Sequence, residues 1–273
     1  MDSLVISAEY LDSIILKSMH YHDCHQIIFV VSGSAQVCIN NIAHRIKCGD
    51  IAIISRFDQH SVLDQTQDYC RYILEISPDL PNAIDNNARV FAVLFNRPEG
   101  FQNFLSIGEH YKLYEHIFRE IVREFDEERP MRRSMLNLLI QQLLIQIYRI
   151  NPELLSTVSN DCFETIYQIQ LFLQSNYASH ITLDEIARDF NFSVSYLAHQ
   201  FKKITGKSVM GYLLSCRLAA AKKYLAQTNI SINEIVSSCG FSDCSNFSRT
   251  FKKSVGCSPS EFRATFRVDD QYS

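Results

Sequence analysis

Phe241-Ser242-Asp243-Cys244-Ser245-Asn246-Phe247-Ser248-Arg249-Thr250-Phe251-Lys252-Lys253 reads as a short turn followed by an amphipathic helix. Phe247, Phe251 and Val255 recur at helical spacing on one face, which leaves Asn246, Arg249, Lys252 and Lys253 on the others. Gly256 stops the helix and Pro259 follows it. An apolar underside beneath a polar, basic outer surface suits a DNA major groove. It suits an ordinary surface helix equally well. The neighbouring sequence decides between the two.

That neighbouring sequence contains a repeat. Phe201-Lys202-Lys203-Ile204-Thr205-Gly206-Lys207-Ser208 matches Phe251 to Ser258 at an offset of 50, and Leu183-Asp184-Glu185-Ile186 matches Ile232 to Ile235 at an offset of 49. The second copy therefore holds one extra residue in its turn. Each copy opens on a capping box, Thr182-x-x-Glu185 and Ser231-x-x-Glu234, and a third box, Ser258-Pro259-Ser260-Glu261, opens a last helix. Ser193 and Asp243 are the expected caps of the second helix in each copy. A short helix, a tight turn and a second helix make a helix-turn-helix, whose second helix enters the major groove. A long helix from Ser208 to Thr228, buried through Leu213, Cys216, Ala220 and Tyr224, would join the copies. It would hold two reading helices about one DNA turn apart, roughly 34 Å.

Residues 161–268 resemble the DNA-binding domain of the AraC/XylS family of transcriptional regulators. The resemblance rests on Ile232-x-Glu234-Ile235, Gly240-Phe241-Ser242-Asp243, Ser245-x-Phe247-Ser248-Arg249-x-Phe251-Lys252-Lys253, Gly256 and Ser258-Pro259. It implies base contacts from the front of each second helix: Ser245, Asn246, Ser248 and Arg249 in the second copy, and Ser195, Ala198 and His199 in the first. Arg249 can donate two hydrogen bonds to a guanine edge and Asn246 can pair with adenine. The first copy departs from the family pattern, which often has Arg or Gln near positions 198–199. Ala198 can only touch a thymine methyl, and His199 is a single-point reader. Lys202, Lys203, Lys252 and Lys253 read as phosphate contacts, with a solvated helix end complementing the dipole as the alternative.

Upstream, short strands with turns every 8–12 residues indicate an antiparallel sandwich or barrel. Gln26–Val31, Ala35–Ile39, Ile42–Ile46, Ile51–Ile54 and Tyr69–Ile76 are the strand candidates, with turns at Ser32-Gly33-Ser34, Asn40-Asn41 and Lys47-Cys48-Gly49-Asp50. With His20-Tyr21-His22 before them and His60 after Ile54, the segment resembles a cupin barrel. Metal-binding cupins add a glutamate soon after the H-x-H. Here His25 stands nearby, and no Glu lies between residues 10 and 74. Three imidazoles can ligate a divalent ion; the plainer reading is a polar pocket without metal. His20, Tyr21, His22, Arg56 and His60 are the candidate pocket residues. Two helical patterns follow, Ile107 to Phe125 and Leu136 to Ile150, as an antiparallel hairpin that covers the barrel, forms a dimer seam, or does both on different faces.

Composition sets outer bounds. The chain has 273 residues, 47% of them hydrophobic and 21% charged, in the range of a folded globular protein of one or two domains. Its nine cysteines are scattered without a C-x-x-C pair, which reads as reduced thiols in a cytosolic protein. No signal peptide or membrane span is evident. The net charge of −4 divides into +4 over residues 160–268, −6 over the first 159 and −2 from Asp269 and Asp270, a weak pointer to a polyanion partner.

The expected architecture is a two-domain α+β chain. It comprises a cupin-like β-barrel sensor over 1–80, a helical hairpin over 81–155 for packing and dimerisation, and an all-α tandem helix-turn-helix over 161–268. The expected function is a non-enzymatic, sequence-specific regulator, more often an activator in this family. It would be cytoplasmic and dimeric, would bind double-stranded DNA and RNA polymerase, and would answer to a small polar effector such as a sugar. No metal or cofactor is assigned. The alternative is a metal-dependent cupin enzyme fused to a DNA-binding module.

Overall fold

The computed structural model describes residues 5–13, 17–20, 22–40, 42–77, 93–94, 103–150, 152 and 160–266. Tyr21 and most of the apolar run Arg89–Phe95 lie outside them. Contacts divide the chain into two units, Met1–Asn160 and Asp161–Ser273.

The N-terminal unit is built from two antiparallel sheets. Five strands, β1 (Val5–Leu11), β3 (His25–Ser32), β6 (Asp50–Ile54), β8 (Cys70–Ile76) and β9 (Phe104–Ser106), pair in the order β1-β8-β3-β6-β9. Four more, β2 (Lys17–His20), β4 (Ser34–Ile39), β5 (Ile42–Lys47) and β7 (His60–Gln65), pair as β2-β7-β4-β5. The five predicted strands are all present. The first sheet also extends past residue 80, because β9 pairs with β6.

Burial follows from what each sheet faces. In β4 and β5 the buried side chains Ala35, Val37, Ile39 and Ile46 turn inward while the opposite row is largely exposed, so these strands alternate in sequence. The first sheet is covered on both faces. Ile28, Val30, Ala52 and Ile54 join the interior cluster with the β4 and β5 residues. Phe29 and Tyr72, cross-strand partners on the other face, stack against Phe118 of helix α1 (Tyr111–Asp126), with ring centroids 5.2 and 5.8 Å away. All five residues of β6 are buried, and Ile51–Ile54 reads as a continuous apolar run. Helix α2 (Arg132–Ile150) packs on α1 and buries Leu136, Ile140, Leu143, Leu144 and Ile147.

The C-terminal unit is entirely helical over its described residues: α3 (Asn160–Ser175), α4 (Leu183–Asp189), α5 (Val194–Thr205), α6 (Val209–Gln227), α7 (Ile232–Ser238), α8 (Cys244–Val255) and α9 (Pro259–Phe266). Both predicted capping boxes close at Thr182/Glu185 and Ser231/Glu234. At the third, the Glu261 amide donates to Ser258 Oγ and the Ser258 amide donates to Glu261. The connecting helix α6 departs from the predicted single stripe. Leu213 and Cys216 are buried, Ala220 and Tyr224 only half so, and Val209, Tyr212, Leu218, Ala219, Ala221 and Leu225 are buried as well. One end packs on the first copy, where Tyr212 meets Phe201. The other packs on Ile235, Val236, Phe247, Phe251 and Phe262. A helix with two partners in different directions shows no clean amphipathic face.

Candidate nucleic-acid interface and effector pocket

The two helix-turn-helix copies are α4–α5 and α7–α8. Ser193 caps α5 by accepting from the Tyr196 amide, and Asp243 caps α8 by accepting from the Asn246 amide at 2.7 Å. Both helices end on a left-handed glycine, Gly206 (φ 72°) and Gly256 (φ 92°), which terminates the helix without a Cβ penalty. The intervening turns differ by the one residue the repeat predicts: four residues from Phe190 to Ser193 against five from Cys239 to Asp243.

Helix α8 buries Phe247 and Phe251 and exposes Ser245, Asn246 and Arg249, with Ser248 half-buried. Helix α5 buries Leu197 and Phe201 and exposes Ser195 and His199, with Ala198 half-buried. Lys202, Lys203, Lys252 and Lys253 are exposed in the last turns. Tyr196, which occupies in α5 the place of Asn246, is half committed to its own unit. Its ring meets Phe192 at 5.1 Å and its hydroxyl donates to Cys162 Sγ at 3.8 Å.

Sequence reasoning missed the clamp that joins the copies. Arg217 on α6 donates from Nε to the Tyr177 carbonyl at 2.8 Å and from Nη2 to the Ser179 carbonyl at 2.9 Å. Gly240, at φ 73°, lies so close that an added Cβ would stand 2.7 Å from the Ala178 carbonyl oxygen. The loop before the first copy is thus gripped by the connector and by the turn of the second copy. The glycine is visible in sequence as a turn residue; its second reason, close approach, is not.

In the N-terminal unit a cavity of about 60 Å³ opens inside the double sheet. His20, His22 and His60 line it, with ring centroids 4.3 to 5.2 Å apart. Its walls are Leu11, Ile28, Val37, Ile54, Val62 and Ile73, and its remaining polar lining is Gln26, Tyr69 and Arg71. Burial pushes the His60 imidazole down to about 4, although its Nδ1 lies 3.0 Å from the Asp58 carbonyl. Arg56 does not line the cavity; it pairs with Asp23 at 2.5 Å and lies over the Phe57 ring.

The carboxylate that the sequence lacks near the H-x-H arrives from another strand. Glu75 on β8 lies opposite Gln26 on β3, accepts from its Nε2 at 2.8 Å, and stands 3.7 Å from His22 Nδ1. The ring nitrogens of His20, His22 and His60 fall within 4.8 Å of one another. Imidazoles with a neighbouring carboxylate are a donor set that fits a divalent transition ion. All nine cysteines are free thiols. No described helix is long and apolar enough to cross a membrane.

Residues 2–144 match the AraC-like ligand binding domain, and residues 186–265 match a helix-turn-helix domain. The chain belongs to the AraC family of transcription regulators. The HTH-type transcriptional activator RhaS of Klebsiella pneumoniae (strain 342) is 27% identical over 251 residues, covering 89% of this chain and 86% of that protein. RhaS of Salmonella schwarzengrund (strain CVM19633) is 25% identical over 252 residues with the same coverage. ToxT from Vibrio cholerae superposes with a TM-score of 0.61 across 95% of this chain and 97% of its own, at 13% identity, a likeness of fold. As a family member, the chain is a DNA-binding transcription regulator with a ligand-binding N-terminal unit.

Proposed function

We propose that this regulator activates transcription by reading two adjacent major-groove segments through α5 and α8, under the control of a small polar effector held in the N-terminal cavity. The observation that carries the DNA reading is the pairing of α5 and α8. Both have a side-chain cap (Ser193 and Asp243), an apolar underside, a glycine stop and an exposed lysine pair at matching positions, and the two copies are tied through Arg217 and Gly240. A lone amphipathic helix would need none of that duplication. Ser245, Asn246, Ser248 and Arg249, with Ser195, Ala198 and His199, read bases. Lys202, Lys203, Lys252 and Lys253 neutralise phosphate.

Activation follows the relatives, which are named as activators, and implies contact with RNA polymerase. A homodimer is supported by α2, where Met135 and Leu138 are 47% and 61% exposed on one side, with Met131 just before the helix at 75%. Met135 and Leu138, three residues apart, lie on one face of the helix. The enzyme alternative finds no support in the family match. Its metal would sit on His20, His22 and His60, a set that serves a sensor equally well.

Sequencing genomic fragments retained by the purified chain, with and without candidate metabolites, tests the proposal. Enriched fragments should share two short motifs whose centres lie about 10 base pairs apart, and one metabolite should change their recovery. Absence of salt-dependent binding to any duplex would overturn the DNA reading in favour of a protein-interaction role.

A further inference from the structure

We propose that the N-terminal cavity selects a small organic acid, seating its carboxylate on Arg71 and its other polar end against the histidines. The inference rests on the cavity being the effector site, and it names the chemical class that site takes.

Arg71 is 4% exposed, on a strand whose inward row runs Arg71, Ile73, Glu75. It faces Leu11 on β1 and Val30 on β3, at the end of the cavity away from Gln26 and Glu75. Its guanidinium lies 4.9 Å from the Tyr69 ring centroid, and Nη1 donates to the Ser13 carbonyl at 3.3 Å. It forms no ion pair with a carboxylate among the described residues. A guanidinium carries five donors in a planar fork matched to a carboxylate, and one left without a counter-charge in a water-poor interior is costly. A bound carboxylate supplies that charge and takes two parallel hydrogen bonds.

The cavity is bipolar. Arg71 and Tyr69 stand at one end, and His20, His22, His60 and Gln26 at the other, with Ile28, Val37, Ile54, Val62 and Ile73 between. From Arg71 to Glu75 the extended strand advances about 13 Å, and long side chains fill part of that span. By the same measure a single water needs roughly 10–15 Å³, so about 60 Å³ holds only a handful of heavy atoms. An aliphatic waist of this kind does not hydrogen-bond a ring of hydroxyls. It accepts a short carbon chain with a carboxylate at one end and a hydroxyl or carbonyl at the other.

Thermal-shift and calorimetric titration of the full-length chain test this with acetate, propionate, butyrate, 2-hydroxypropanoate and 2-hydroxybutyrate, each against its neutral primary amide, and with neutral pentoses, hexoses and 6-deoxyhexoses. At least one acid should raise the melting temperature while its amide does not. Arg71→Gln should weaken that acid at least tenfold, and Arg71→Lys should weaken it less. Ligand-free circular dichroism spectra and melting curves that match wild type show that the N-terminal unit of both variants is folded. Binding of a neutral sugar with no acid response overturns the carboxylate inference and leaves the effector reading standing. Equal acid binding by wild type and Arg71→Gln moves the seat elsewhere and overturns it too. Acid binding that survives Arg71→Gln but disappears after dialysis against EDTA places the seat on an ion held by the histidines, against the proposal. No response to any acid also overturns it.

Discussion

Arg249 projects from the exposed side of α8, one turn along from Ser245 and next to the buried Phe247–Phe251 row. A guanidinium so placed can meet the O6 and N7 of one guanine, a pair that discriminates by about 1–3 kcal/mol. Arg249→Ala is therefore expected to lose that much affinity for the selected site and almost none for random duplex, as measured by fluorescence anisotropy. Equal loss on both DNAs would remove Arg249 from the base readers. Lys252, in the last turn of α8, should behave in the opposite way. Lys252→Ala should weaken every duplex alike and reduce the salt slope by about one. Such residues are legible in sequence because a helix's exposed positions follow from its buried ones. Arg71 and Glu75 were not. Nothing in Arg71-Tyr72-Ile73-Leu74-Glu75 says which face of a doubly covered strand borders a cavity, and only pairing with Leu11, Val30 and Gln26 places the two charges inward.

The elements divide by the same logic. Strand β4 was readable because one face meets water, and α5 and α8 because each has one buried side. Strands β1, β2, β7 and β9 are not legible in the sequence: β7 carries few apolar residues, and β9 spans three residues far along the chain. Helix α6 is legible as a helix, but its buried set is not, because it serves two partners. Gly240→Ala adds a Cβ against a backbone carbonyl at a left-handed φ, so the variant should lose more than about 1 kcal/mol of stability in urea titrations. It should also lose affinity for the paired site more than for a single motif. Unchanged stability would mean that the loop at Ala178 yields freely. The second prediction concerns the caps. Hydrogen bonds to the helix-start backbone hold Asp243 and Glu261 below the ordinary carboxylate range; for Glu234 the Ser231 hydroxyl is the larger cause and the backbone the next. A carboxyl depressed on folding contributes stability above its unfolded value, and that stability is lost as pH falls through the folded one. Acidification below about pH 4.5 should therefore loosen the helical unit, read by far-ultraviolet circular dichroism. Glu234→Gln and Glu261→Gln together should make its melting less dependent on pH there.

At the scale of the whole molecule, the question is what an effector accomplishes by binding a unit that does not itself read DNA. A ligand shifts an equilibrium only by its differential affinity for the two states. If the effector tightens operator binding by some factor, the operator must tighten effector binding by the same factor. Couplings of this kind run from about 5-fold to 150-fold. Two titrations check the expectation: operator affinity with the effector absent and saturating, and effector affinity with the operator absent and saturating. The two ratios should agree and exceed about five. Ratios of one in both directions would mean that the effector leaves DNA affinity alone and acts on a later step such as polymerase contact. Arg71→Gln sharpens the test, because it should abolish the first ratio while leaving the effector-free operator affinity unchanged. Arg249→Ala should do the reverse, lowering operator affinity with and without effector by the same amount and preserving the ratio. A reader and a sensor that fail independently in this way are what a chain of two separately packed units predicts.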